Sequence, residues 1–174
     1  MSKLREEHKL KQMSLWQRLK YQWRGNNKVA RPNLVGSNID KRIAIATENL
    51  ARDLDGWQVL AGKVNAKITF ILQPLATWIT KPLVSEEKLL FDALDAHPSN
   101  FWKSFQPILS AEVGNKYAMA LKNICEAKGI AFHDMNAILN DCHETIKNEW
   151  LFVDRAHFND IGYQRIAKLI YDNI

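Results

Sequence analysis

The sequence is short of the residues that staple or break a chain. Its two cysteines, Cys125 and Cys142, stand in no CxxC or CxxxC pair, which excludes a disulfide framework or closed zinc site and leaves two reduced, semi-buried thiols. Seven glycines and five prolines in 174 residues exclude a collagen-like rod and a Pro/Gly-rich disordered tail. No window approaches the roughly 18 consecutive apolar residues of a membrane span, and no apolar signal segment follows the charged start Met1 to Glu7. As written, the chain reads as cytoplasmic. What is present is 47% hydrophobic and 25% charged residues with six tryptophans, the balance of a soluble globular domain. A chain of this size buries about 70% of its unfolded surface, enough for a core without staples.

Charge is uneven. Residues 1–31 hold nine Lys and Arg against Glu6 and Glu7, a net +7, so with +5 overall the remaining chain carries −2. Basicity therefore belongs to the first segment, and the high pI is no nucleic-acid footprint over the whole protein. In that segment Leu15, Trp16, Leu19 and Trp23 recur at helical spacing among Lys and Arg, with Gly25 as a C-terminal cap. The organisation is thus a basic amphipathic helix and loop over 1–38, then a body over 39–174.

In the body, Ile39, Ile43, Ala46, Leu50, Leu54, Trp57, Leu60 and Val64 repeat at three and four and predict a long helix to about Asn65, with Ser37 or Asn38 as its N-cap. The run Ile68 to Leu72 is short, apolar and closed by Gln73-Pro74, which predicts a strand buried on both faces as in a parallel sheet. A loop over 75–85 leads to a helix from Ser85 to Leu94, with Glu86 and Glu87 favoured in its first turn by the helix dipole. An irregular or helical stretch around Phe101, Trp102 and Phe105 precedes a helix over 111–128 ended by Gly129. Ile130 to Asp134 then reads as a second buried strand. A helix over 136–148, a loop, and a closing helix over 160–173 carrying Ile161, Ile166, Ala167, Leu169 and Ile170 complete the pattern. Strands alternating with helices imply an α/β fold with a parallel sheet covered by helices.

The chemistry concentrates in Asp154-x-x-His157. An aspartate three residues ahead can curl back onto one imidazole nitrogen, fixing the tautomer and leaving the other nitrogen as a base. Asn159 would cap the closing helix, whose N-terminal dipole favours the neutral imidazole. On spacing alone, a plain loop Asp and a helix-start His are the favoured reading.

The stretch LFVDRAHFNDIGYQRIAKLI resembles the last block of the SGNH (GDSL) hydrolase family, in which Asp-x-x-His is followed by Asn, Gly and an apolar helix ending the domain. The strand ending in Gln73-Pro74 is similar to that family's fourth strand, and helix, Gly129 and strand over 111–134 to its fifth. The order and spacing agree over residues 40–174. The resemblance implies a three-layer α/β/α, flavodoxin-like fold, of which only the C-terminal half with about two parallel strands stands here. It assigns His157 as general base and Asp154 as its orienting acid, in an esterase, lipase-like or O-deacetylase enzyme with neither metal nor organic cofactor.

The family's Gly-Asp-Ser nucleophile block and its Gly-x-Asn-Asp block are not found. Of the seven serines, Ser37 alone stands beside glycine before a helix, but only two apolar residues precede it, and helix N-cap is its plainer reading. The nucleophile thus stays unassigned, and the chain alone is expected to be nearly inactive toward an acyl ester. The partner edge of strand 68–72 would lack its neighbour, so an N-terminal half or a second chain is expected to cover it.

Two other readings compete. One is a catalytically inactive binding module whose basic helix, with Trp16, Tyr21 and Trp23, docks on an acidic partner, a nucleic-acid backbone or an anionic membrane. The other is a metal site drawn from His133, Asp134, His143, Asp154 and His157, although none of these shows HExxH or another strong ligand spacing.

Overall fold

A computed structural model of the chain describes residues 38–173, without the side chains of Phe101 and His143. The basic helix expected over 3–24, the loop that follows it and Ser37 lie outside the described residues. The described chain is mixed α/β and mostly helical, with a two-stranded parallel sheet.

Helix α1 (Ile39–Lys63) begins at Asn38, whose Oδ1 accepts the N–H of Asp40 at 2.9 Å. It ends where Asn65 turns into the left-handed region at φ 54° and the Ala66 N–H reaches the Ala61 carbonyl at 3.0 Å. The chain then forms β1 (Thr69–Leu72), α2 (Ser85–Ala96), a 3-10 helix (Phe101–Ile108), α3 (Ala111–Ala127) and β2 (Ala131–Asp134). Gly129, at φ 65°, closes α3: its N–H bonds to Glu126 and the Ile130 N–H to Cys125, at 3.1 and 2.8 Å. That reversal sends the chain directly into β2. The segment expected as one helix over 136–148 breaks at Cys142 into α4 (Met135–Asp141) and α5 (His143–Ile146), before α6 (Asp160–Asn173) closes the body.

β1 and β2 pair in parallel, with Thr69 opposite Ala131 and Leu72 opposite Asp134. Side chains alternate between the two faces of a strand. Phe70 and Leu72 pack with Phe132, Trp78, Ala118 and Leu121, against α1 and α3. Ile71 lies on the opposite face, in a groove of about 280 Å³ with Pro74, Phe158, Tyr163, Ile166 and Ile170. The expected burial of the first strand on both faces is corrected here: Thr69, Phe70 and Ile71 are only half-buried and Leu72 alone is buried. In a two-stranded sheet each strand is an edge, so neither is enclosed like a central strand.

Apolar spacing also misplaces part of α1's stripe. Thr47 and Leu54 are buried, while Trp57, Leu60 and Val64 are 61%, 54% and 74% exposed. At 100° per residue these three stand roughly 60–120° around the helix from Leu54, whereas Gln58 and Ala61 continue its face. In α6, Ile161 and Ala167 point to solvent, and Gly162, Ile166, Leu169 and Ile170 form the inner side. No helix among the described residues is long and apolar enough to cross a membrane.

The largest core cluster lies under the segment that carries Asp154 and His157. Phe91, Leu139, Ile146, Leu151, Phe152 and Phe158 are buried in it, with Leu90, Ile166 and Leu169 against its rim. Each such side chain contributes about 1.5–3 kcal/mol on burial. The loop therefore rests on a firm floor.

Candidate active site

The site is built on a short loop pinched at its base. Phe152 and Phe158 form an isolated antiparallel bridge with ring centroids 4.5 Å apart. The N–H of Asn159 bonds to the Leu151 carbonyl at 2.8 Å, and that of Val153 to the His157 carbonyl at 2.9 Å. Between these ties residues 153–157 make a tight turn holding both candidate residues.

Asp154 organises that turn from within. Its Oδ1 accepts the backbone N–H groups of Ala156 at 2.7 Å and His157 at 2.8 Å, an aspartate turn of the kind that lets this side chain replace a backbone acceptor. Its Oδ2 lies 2.8 Å from His157 Nδ1, with Oδ1 at 3.0 Å. Partial burial pushes the Asp154 carboxyl pKa up, but the Ala156 N–H, the His157 ring and the His157 N–H together outweigh that and hold it below the usual aspartate range. Asp154 is thus ionised at neutral pH and can only accept, so Nδ1 carries the hydrogen and Nε2 of a neutral ring is a bare lone pair.

The His157 side chain is 63% exposed and that of Asp154 23%. Among the described residues the ring's hydrogen bonds run to Asp154, and Nε2 has no partner. An oriented imidazole with an open, unprotonated nitrogen can remove a proton from a hydroxyl or a water brought to it.

Neighbouring elements fix the loop from three sides. Gln73 Nε2 donates to the Ala156 carbonyl, and the Ala76 N–H to the Arg155 carbonyl at 2.9 Å, so the chain leaving β1 lies along the loop. Arg155 turns inward. Its guanidinium lies over the rings of Phe91 and Trp102 at 5.3 and 5.8 Å and donates to Asp95 Oδ2 at 2.6 Å. On the far side Asn159 Oδ1 accepts the Gly162 N–H at 2.8 Å and caps α6, as its position in the sequence suggests, while its Nδ2 donates to the Trp150 carbonyl at 2.7 Å.

Gly162 answers to a close approach. A Cβ there would stand 2.5 Å from the Leu151 carbonyl oxygen and 2.7 Å from Phe158 Cδ1. The glycine in the closing block therefore lets the first turn of α6 seat on the pinched base.

The metal reading gains no cluster. Among the described residues no three His, Cys, Asp or Glu side chains come together to hold an ion, and the His143 side chain lies outside the description. Asp134 is occupied as the N-cap of α4, accepting both N–H groups that Asn136 offers at 2.9 Å. Ser37 is outside the described residues; Ser110 caps α3 and Ser85 bonds to Glu86. Both thiols are free, but Cys125 is wholly buried rather than semi-buried. Sequence reasoning missed Arg155, whose charge gave no hint of burial, and Glu87, a first-turn carboxylate that turns out to be fully enclosed. No protein-family model matches the chain, and no curated protein matches it.

Proposed function

We propose that this chain supplies the histidine and aspartate of an SGNH (GDSL)-type serine ester hydrolase with a three-layer α/β/α fold, acting as an esterase, lipase-like enzyme or O-deacetylase. The observation that carries the reading is the 2.8 Å contact between Asp154 Oδ2 and His157 Nδ1, with Nε2 left open among the described residues. The order of elements supports it: a strand closed by Gln73-Pro74, a crossover to a parallel partner strand, then Asp-x-x-His before the last helix. The serine and the oxyanion donors come from outside the described residues, on this polypeptide or on a second one; among the described residues β1 has a strand partner on one edge only.

In that reaction Nε2 of His157 takes the proton of the serine hydroxyl as its oxygen adds to the ester carbonyl. The tetrahedral adduct expels the alcohol oxygen, which leaves with the proton from His157, and an acyl-serine remains. Water, deprotonated by the same nitrogen, adds to the acyl carbon; the serine oxygen leaves with that proton and the free acid departs. Asp154 keeps its negative charge throughout and steadies the imidazolium formed in each half.

The test is turnover of p-nitrophenyl acetate by the assembly purified from its native source through a tag on this chain. Hydrolysis that falls at least about 10³-fold in His157→Ala is expected. No hydrolysis, or a rate unchanged by the substitution, contradicts the reading.

A further inference from the structure

Glu87 is the third residue of α2, where a solvated carboxylate would satisfy the helix dipole, yet its side chain is 0% exposed. Four donors surround it. Oε2 accepts from Lys81 Nζ at 2.6 Å and the Val84 N–H at 3.0 Å, and Oε1 accepts the N–H groups of Leu151 at 2.9 Å and Phe152 at 3.0 Å. Lys81, its side chain only 2% exposed, also donates to the Pro82 carbonyl at 3.2 Å.

Buried ion pairs of this kind are weak sources of stability, because desolvation of both charges offsets their attraction. What Glu87 does specifically is grip two consecutive backbone N–H groups more than 60 residues away, at the point where the site loop begins. Leu151 accepts from Asn159 and Phe152 bridges to Phe158, so those two N–H groups belong to the base of the 153–157 turn. Asp154 follows Phe152 by two residues, and its contacts with Ala156 and His157 require that turn to hold its register.

We infer that Glu87 is a positioning residue for the Asp154–His157 pair: through Leu151 and Phe152 it fixes the loop base so that the Asp154 carboxylate meets His157 Nδ1. The inference rests on the reading of His157 as an oriented base, but its test needs no substrate and no serine.

The readout is the tautomer of neutral His157, measured by long-range ¹⁵N–¹H correlation on the full chain at alkaline pH. The intact protein shows the hydrogen on Nδ1. Lys81→Met/Glu87→Leu replaces the buried pair with apolar groups, removes the acceptor and is expected to lose the Nδ1–H preference while the chain stays folded. Lys81→Met/Glu87→Gln returns one acceptor oxygen for Leu151 and Phe152 and is expected to restore it. Leu121→Ala, which opens a cavity in a different core cluster, is expected to lower the melting temperature and leave the tautomer unchanged. A preserved Nδ1–H form in the Leu variant, failure of the Gln variant to restore it, the same tautomer change in Leu121→Ala, or loss of folding in both double variants overturns the inference. A wild-type ring protonated on Nε2 overturns the Asp154–His157 reading itself, a failure distinct from those seen in the variants.

Discussion

The carbonyl oxygen of Leu151 stands 2.5 Å from the place a Cβ on Gly162 would occupy, so the first turn of α6 closes on the site loop only because residue 162 has no side chain. The neighbours that crowd it are a backbone oxygen and the Phe158 ring, neither of which can swing aside. Gly162→Ala is therefore expected to destabilise the protein by about 1–3 kcal/mol, as overpacking does. Gly56→Ala, in the interior of α1 with nothing within 4 Å, is expected to stabilise by about 0.5–1 kcal/mol. Urea midpoints of the two variants check the contrast; equal effects of one sign would contradict the close approach.

Asp154 has a depressed carboxyl pKa in the folded chain, so its contribution to stability is fully present above the unfolded aspartate value of about 3.9 and disappears as pH falls through the lower folded value. The difference in unfolding free energy between wild type and Asp154→Asn is expected to shrink as pH falls from about 5 to below about 4. Chemical denaturation across that range measures it. A difference that fails to shrink across that range would mean the carboxyl is not held ionised by the Ala156 and His157 donors.

The two thiols are expected to separate by reactivity. Burial pushes the Cys125 pKa up and closes it to reagents, whereas Cys142, at the break between α4 and α5, is partly accessible. An aromatic disulfide reagent is expected to modify Cys142 in the native protein and Cys125 only on unfolding. Cys142→Ser should abolish native-state labelling, and rapid labelling that survives this substitution would contradict the placement of Cys125 in the core.

Much of the fold is legible in the sequence because its signals are local. Gly129 after a helical stripe, the apolar run before Gln73-Pro74 and the stripe of the closing helix each carry their own punctuation. The pairing of Asp154 with His157 is legible for the same reason, since four residues contain both partners and the turn that joins them. The less visible features are set by distant chain. Spacing places Trp57, Leu60 and Val64 on a helix but not on the side that meets α3, and Gln58 instead reaches the Lys128 carbonyl. Glu87 and Arg155 look like solvent-facing charges until Lys81, Leu151 and Phe152 enclose one and Phe91, Trp102 and Asp95 the other.

The most direct test of the central claim is labelling of the tagged native assembly with a fluorophosphonate, followed by mass spectrometry to locate the adduct. The account predicts one modified serine, at a residue brought against His157 from outside the described residues or from a partner, and labelling that drops by orders of magnitude in His157→Ala. An assembly with no labelled serine, or one labelled equally fast without the imidazole, would contradict a catalytic role for Asp154 and His157.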